Sequence, residues 1–465
     1  EVAIVGRSNV GKSSLVNALG RRKGLAHVSN TPGRTRLLNL FEIEGGGSLV
    51  DLPGYGFAQA SKTMRAGWKT MIEGYLLERD GLAMVIVGLP LGDLPGVRRA
   101  PNGNWDWYGF QAKPGLARSW AAWNYSGYEK KPAYPEYLQL INTMDRIGRE
   151  KGCGRAMWEY DNDRLNAYGT PMAPMLLPMW TDGCVGSMEG LFFEASATTP
   201  YHFMNQSELS VRPSRAQRRL PYRALDVDLG VQHLQLLGVR YYLAFSEAAV
   251  TGARLNPDLV ELTTFGGDEA KVTGLRAAQP PDQAQIDRAL PWVVFEIRDA
   301  ALVEPLRNEP VVLTGTTEHQ VDWLQLAVQL YNDPTRWDVL PAASGPSEWA
   351  RAEVPDAVTG YVNADPNVLP TEPALPQLPR RELDDVQVSD VVERDSSLSF
   401  TVDQIGVPIL VKTSYFPNWK VSGAEGPYRV MPNLMVVIPT STNVRLHFGY
   451  TGVDVIGVIN AKQGV

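Results

Sequence analysis

Gly6-Arg7-Ser8-Asn9-Val10-Gly11-Lys12-Ser13-Ser14 is the stretch on which the fold turns. It fits G-x-x-x-x-G-K-[ST], the pattern of a backbone loop that wraps phosphates. The two glycines let the chain turn tightly and point successive N–H groups inward, which makes an anion nest. Lys12 reaches the outer phosphates in such a loop, and the Ser13 hydroxyl sits on a magnesium ion. The flanks agree: Glu1-Val2-Ala3-Ile4-Val5 reads as a short strand before the loop. Leu15-Val16-Asn17-Ala18-Leu19 reads as the helix after it, whose N-terminus favours negative charge.

Working outward, Arg21-Arg22-Lys23-Gly24 closes that helix, and Asn30 to Arg36 is a polar, turn-rich loop carrying Thr35. Leu37 to Ile43 reads as a strand, Glu44-Gly45-Gly46-Gly47 as a hairpin turn, and Ser48-Leu49-Val50 as a strand leading to Asp51-Leu52-Pro53-Gly54. An Asp at the end of an apolar strand with Gly three positions on suits magnesium and γ-phosphate sensing. The carboxylate holds the ion through water, and the Gly54 N–H meets the phosphate. D-x-x-G alone is weak; after a phosphate loop and a Thr-bearing loop it is specific. Ser61 to Glu78 has Met64, Trp68, Met71, Ile72, Tyr75 and Leu76 in helical phase, a stripe for packing on the sheet. Lys62, Arg65 and Lys69 lie off that stripe, on a solvated face or one that touches RNA.

Three quoted runs, G-R-S-N-V-G-K-S-S, T-P-G-R-T and D-L-P-G-Y-G-F-A, resemble the EngB-type ribosome-assembly GTPases, from Glu1 to about Asp80. The resemblance implies that Gly6, Arg7, Ser8, Asn9, Val10, Gly11, Lys12, Ser13 and Ser14 bind the phosphates of GTP. It implies a first switch at Gly33, Arg34, Thr35, Arg36 and Leu37, and a second at Asp51, Leu52, Pro53 and Gly54. Ser13, Thr35 and Asp51 are the implied magnesium set, Asn9 a potassium ligand, and Lys12, Thr35 and Gly54 the residues of catalysis. Tyr55 stands where Ras-like proteins keep a catalytic Gln, so hydrolysis is expected to be slow and helper-dependent. The implied partners are a guanine nucleotide and the ribosomal subunit. One element of this kind of G domain is missing: no [NT]-K-x-D occurs in the sequence. Without its Asp the guanine edge goes unread, so base discrimination is expected to be impaired. Leu82 to Gly88 is apolar enough to add one more strand.

The chain has 465 residues, 44% hydrophobic and 20% charged, and carries a formal net charge of −7, which argues against a general nucleic-acid binder. Residues 1–80 carry 11 Lys and Arg against 7 Asp and Glu, net +4; the remainder carries 33 against 44, net −11. A basic head on an acidic body suggests two units with different partners. Cys153 and Cys184 are the two cysteines. They pair if that part is exported, or stand as two buried thiols. No His/Cys cluster suggests zinc, no run approaches a membrane span, and the chain opens on a strand without Met or signal peptide, as a fragment does.

Beyond a breaker-rich linker at Leu89 to Gly96, the spacing predicts helices over 137–151, 228–238 and 318–331, with a strand at 239–244. Pro341 to Pro379 is proline-rich. From Val386 the period drops to two, with strands at 399–402, 408–413, 434–438 and 444–448, as in a small β-sandwich. Asp161-Asn162-Asp163 is a candidate for a divalent cation or sugar nucleotide, against a plain surface turn. Glu189, Glu194, His202 and Glu208 are an acid/base candidate whose mutual geometry nothing in the sequence fixes. Trp123 and Trp158 are candidates for stacking on sugars, against packing of a loop-rich region.

Trp123 to Glu129, Met188 to Glu194 and Ser414 to Lys420 resemble the exported part of actinobacterial multi-span membrane proteins similar in layout to lipid-linked glycosyltransferases, over about residues 83–455. That resemblance implies a glycan or membrane-associated partner. The expectation is a chimera of fold class α/β: a truncated P-loop GTPase sheet over 1–80, a linker at 81–97, an α+β region over 98–340, a proline-rich linker over 341–385 and a β-sandwich over 386–455. The alternative to a GTP-binding protein is an extracytoplasmic domain with no GTPase role.

Overall fold

The computed structural model describes residues 2–4, 16–17, 39–42, 48–51, 84–85, 97–99, 105–107, 110–112, 123, 126–188, 197–278, 280–315, 320–354, 374–394 and 396–449. The chain divides into two compact units, Glu1–Tyr134 and Pro135–Val465.

The first unit is built on four strands: β1 (Val2–Ile4), β2 (Asn39–Glu42), β3 (Ser48–Asp51) and β4 (Met84–Val85). Their order in the sheet is β2-β3-β1-β4. β2 and β3 pair antiparallel, as strands flanking a glycine run do. β1 lies parallel to both neighbours, β3 and β4. Parallel neighbours need a long crossover rather than a turn, and residues 5–38 and 52–83 are long enough to supply two. β1 therefore sits inside the sheet, and Val50 of β3 and Val16 of a helical segment are fully buried. The extra strand expected within 82–88 is β4. The helix expected over 61–78 and the linker at 89–96 fall outside the described residues. A second sheet, β5 (Val97–Arg99), β6 (Trp105–Trp107) and β7 (Phe110–Ala112), is an antiparallel meander.

The second unit opens with α1 (Tyr134–Lys151), three residues earlier than the apolar phase predicts. Five strands follow in one mixed sheet: β8 (Gly154–Trp158), β9 (Val185–Ser187), β10 (Val239–Ala244), β11 (Leu259–Phe265) and β12 (Trp292–Ile297), ordered β11-β12-β10-β8-β9. β8 is parallel to β9 and β10; β12 is antiparallel to β10 and β11. Between these strands run α2 (Asn162–Asn166), α3 (Leu177–Trp180), α4 (Thr199–Glu208), α5 (Val227–Leu236), α6 (Glu247–Leu255), α7 (Glu269–Ala277) and α8 (Gln283–Ala289). Each of α5 to α8 starts on a side-chain cap, Asp226, Ser246, Asp268 and Asp282, which satisfies an orphan N–H of the first turn.

A seven-stranded sheet comes next. Its strands are β13 (Val303–Pro305), β14 (Val311–Thr314), β15 (Pro341–Ala342), β16 (Arg351–Glu353), β19 (Ile409–Val411), β21 (Ala424–Val430) and β22 (Leu434–Pro439). A four-stranded antiparallel sheet, β17 (Val388–Arg394), β18 (Ser397–Val402), β20 (Trp419–Ser422) and β23 (Asn443–Phe448), shares one core with it. Along β18, Leu398, Phe400 and Val402 are buried while Ser397, Ser399 and Thr401 are half-buried, the alternation the period of two predicts. The seven-stranded sheet is not visible as a unit in the sequence, because it takes strands from both sides of the proline-rich stretch. α9 (Gln320–Tyr331) belongs to the larger core, with Leu326 and Tyr331 beside Met157, Phe295 and Val436.

Candidate functional site

In the first unit the site follows from strand direction. β1 runs into the phosphate-loop sequence and β3 runs into the D-x-x-G sequence. The two strands are parallel neighbours, with Ile4 in register with Asp51. The carboxyl ends of β1 and β3, at Ile4 and Asp51, therefore lie side by side at one edge of the sheet, where open α/β sheets take ligands. Val16 and Asn17 are helical, as expected of the helix that follows such a loop. Asp51 is the last residue of β3. The other residues of the expected set, Gly6 to Ser14, Gly33 to Leu37 and Leu52 to Gly54, lie outside the described residues.

In the second unit the Asp-x-Asp is not an open cation site. Asp161 is 1% exposed and caps α2, accepting the Arg164 N–H at 2.9 Å. Its carboxylate also accepts Arg212 Nε at 2.7 Å and Arg288 Nε at 2.9 Å. Burial opposes its charge, but the Arg164 amide and the two guanidiniums outweigh that and hold its pKa below the usual carboxylate range. Asp163 pairs with Arg288 at 2.8 Å. Arginines thus take the place a cation would occupy. Among the described residues no group of three or more His, Cys, Asp or Glu is arranged to hold a metal ion.

The acid/base candidate is divided as well. Glu189 and Glu194 lie outside the described residues. His202 and Glu208 are both on α4, every residue of which is buried. Glu208 is committed to structure: its Oε2 lies 2.6 Å from His233 Nδ1, and His233 Nε2 lies 2.7 Å from the Tyr331 carbonyl. The His233 and Tyr331 rings stack at 3.6 Å. Burial holds the His202 imidazole down to about 4. Trp158 is 2% exposed and cannot stack on a sugar. Trp123 is half-buried with the Lys131 ammonium 4.6 Å over its ring.

A buried polar cluster went unseen in the sequence. Arg164, on α2, donates to Glu136 of α1 at 3.0 and 3.2 Å and lies over the rings of Phe245 and Trp292. Tyr168 and Trp292 also donate to Glu136. Burial raises the Glu136 pKa, yet the Arg164 charge and these hydrogen bonds prevail and lower it. The partners stand 28 to 156 positions apart, and no local pattern links them. Cys153 and Cys184, left open between pairing and free thiols, form a disulfide across 31 positions.

A family described as 50S ribosome-binding GTPase matches residues 1–97. The probable GTP-binding protein EngB of Syntrophus aciditrophicus (strain SB) is 40% identical over 158 residues, 32% of this chain and 81% of that protein. Its namesake in Pelobacter propionicus is 55% identical over 95 residues, 20% of this chain and 48% of the relative. That of Pelotomaculum thermopropionicum is 58% identical over 87 residues, 19% and 44%. The chain thus spans about half the length of these last two. By this likeness the chain belongs to the EngB family of GTP-binding proteins.

Proposed function

We propose that the first unit binds GTP with magnesium and turns it over slowly. The observation that supports this best is the register of Ile4 with Asp51, which sets side by side the carboxyl ends of the two strands that precede the phosphate-loop and D-x-x-G sequences. In this reading Gly6 to Ser14 cradle the phosphates, Lys12 faces the outer ones, and Ser13, Thr35 and Asp51 share the magnesium. Thr35 and Gly54 sense the γ-phosphate. Asn9 adds a potassium ion to the phosphate side. Tyr55 replaces a water-orienting Gln, so turnover waits on a helper, and the large ribosomal subunit is the proposed partner of the basic first unit. The absent [NT]-K-x-D leaves the base poorly read. Titration of fluorescent GTP and ATP into the full chain tests this. The expected result is magnesium-dependent binding of both nucleotides with preferences within about tenfold, lost in Lys12→Ala. Absence of binding in folded protein refutes it.

A second reading covers the rest of the chain. The disulfide favours an oxidising compartment for the second unit, whereas a GTPase works in a reducing one. We infer that the chain is a chimera joined near residues 80–84, whose second part is an exported domain of a membrane protein. Uninterrupted genomic DNA across codons 80–84 tests it: two separate reading frames support the inference, one continuous frame refutes it. Among the described residues no helix is long and apolar enough to cross a membrane.

A further inference from the structure

The second unit holds a groove of about 1570 Å³, lined by the disulfide, the amino ends of β8 and β9, the residues after β12 and the edge of the four-stranded sheet. Small-molecule pockets run to roughly 1,000 Å³, so this one suits a longer ligand. Five guanidiniums and four carboxylates line it. Two arginines are spent on the walls. Arg155 bridges Glu393 at 2.9 Å and the Lys412 carbonyl at 2.7 Å; Arg240 grips Glu296 at 2.8 Å. Arg298, Arg394 and Arg445 are exposed and form no ion pair among the described residues. They outnumber the two remaining acids, Asp182 and Asp299.

Strand register extends the charge. Arg394 pairs with Ser397, Ser397 with His447, and Ser399 with Arg445. Directly opposed residues of antiparallel strands share a face, so these two arginines, two serines and a histidine form one polar strip. Its inward counterparts are Leu398, Val444 and Leu446. Guanidinium forks match carboxylate and phosphate oxygens, and hydroxyls match a polyol. No aromatic side chain lines the groove, so the bases of single-stranded nucleic acid have no platform. The net charge of −11 outside residues 1–80 repels a dense polyanion and tolerates a sparse one.

We propose that this groove binds an acidic polysaccharide, a polyhydroxylated chain with oxyanions spaced along it, through Arg298, Arg394 and Arg445. The inference is independent of the nucleotide reading, so its failure leaves that reading intact. The test is titration calorimetry of the full chain with polygalacturonate, with a polyol-phosphate polymer, and with neutral dextran and single-stranded DNA as controls. Binding of one or both acidic polymers, weakened by salt and weakened about a hundredfold in Arg298→Ala/Arg394→Ala/Arg445→Ala, is expected. The carboxylate and phosphate arms tell which oxyanion is preferred. An unchanged melting curve of the triple variant separates lost contacts from lost fold; if it unfolds, the single variants, each weaker about fivefold, take its place. Equal binding by dextran, tighter binding by DNA, no binding at all, or full binding by the arginine variants overturns the proposal.

Discussion

Breaking the Cys153–Cys184 bond is expected to cost the second unit nearly its full chain-entropy value. The bridge joins the residue after Gly152 to the residue before β9, with 31 positions between. Cross-linking a loop of that length removes about 12 cal/mol/K from the unfolded ensemble, or about 3.7 kcal/mol at 25 °C. The folded state loses little, because other contacts hold the same turn. Arg240 Nη1 donates to the Cys153 carbonyl at 3.4 Å, and the Tyr241 hydroxyl donates to the Gly152 carbonyl at 2.6 Å. Gly152 itself sits at φ +118°, a conformation fixed by the turn and open to glycine. The assay is urea unfolding of Cys153→Ser/Cys184→Ser beside the oxidised chain, followed by the summed emission of the chain's 12 tryptophans, Trp158 and Trp292 among them. With a slope near 3 kcal/mol/M, the midpoint is expected to fall by about 1.2 M. Thiol titration of native protein is expected to find no free thiol. Two free thiols, or a midpoint shift below about 0.3 M, would falsify the reasoning and with it the argument for an oxidising compartment.

Further outcomes follow from the buried polar groups. His202 stays neutral down to about 4 when folded and titrates near 6.5 when unfolded. Between those values the unfolded chain binds the extra proton, so stability falls as pH drops from 6.5 toward 4, by up to about 3 kcal/mol. In His202→Gln that slope should shrink; urea midpoints at pH 7 and 4.5 decide it. Glu208→Ala leaves His233 without its Nδ1 partner and should cost about 1–3 kcal/mol, with Glu208→Gln milder, measured by the same unfolding curves. Manganese or magnesium should leave the melting temperature of the second unit unchanged, and Asp161→Asn should lower stability by about 2 kcal/mol; metal-dependent stabilisation lost in Asp161→Asn would restore the cation site.

How much the sequence disclosed depended on how local the cause was. The phosphate-loop and D-x-x-G runs are short, local patterns, and the strands that precede them, β1 and β3, are parallel neighbours. α1, α5, α9 and the strands β18, β22 and β23 came from apolar periods of 3.6 and 2, which burial enforces residue by residue. The Asp-x-Asp stayed open between a cation site and a surface turn because its spacing also suits an N-cap, the role Asp161 takes. Arg212 and Arg288, 51 and 127 positions from Asp161, decide between cap and cation site. The Glu136–Arg164–Trp292 cluster and the seven-stranded sheet were invisible for the same reason: both are made by long-range pairing, which no window of sequence contains.

The short strand β4 has a practical consequence for anyone dividing the gene. Met84 and Val85 cover the second side of β1. A protein ended at residue 80 would leave β1 with a bare row of amides and carbonyls, an invitation to pair with other molecules and precipitate. A soluble nucleotide-binding piece should therefore extend through residue 85 at least.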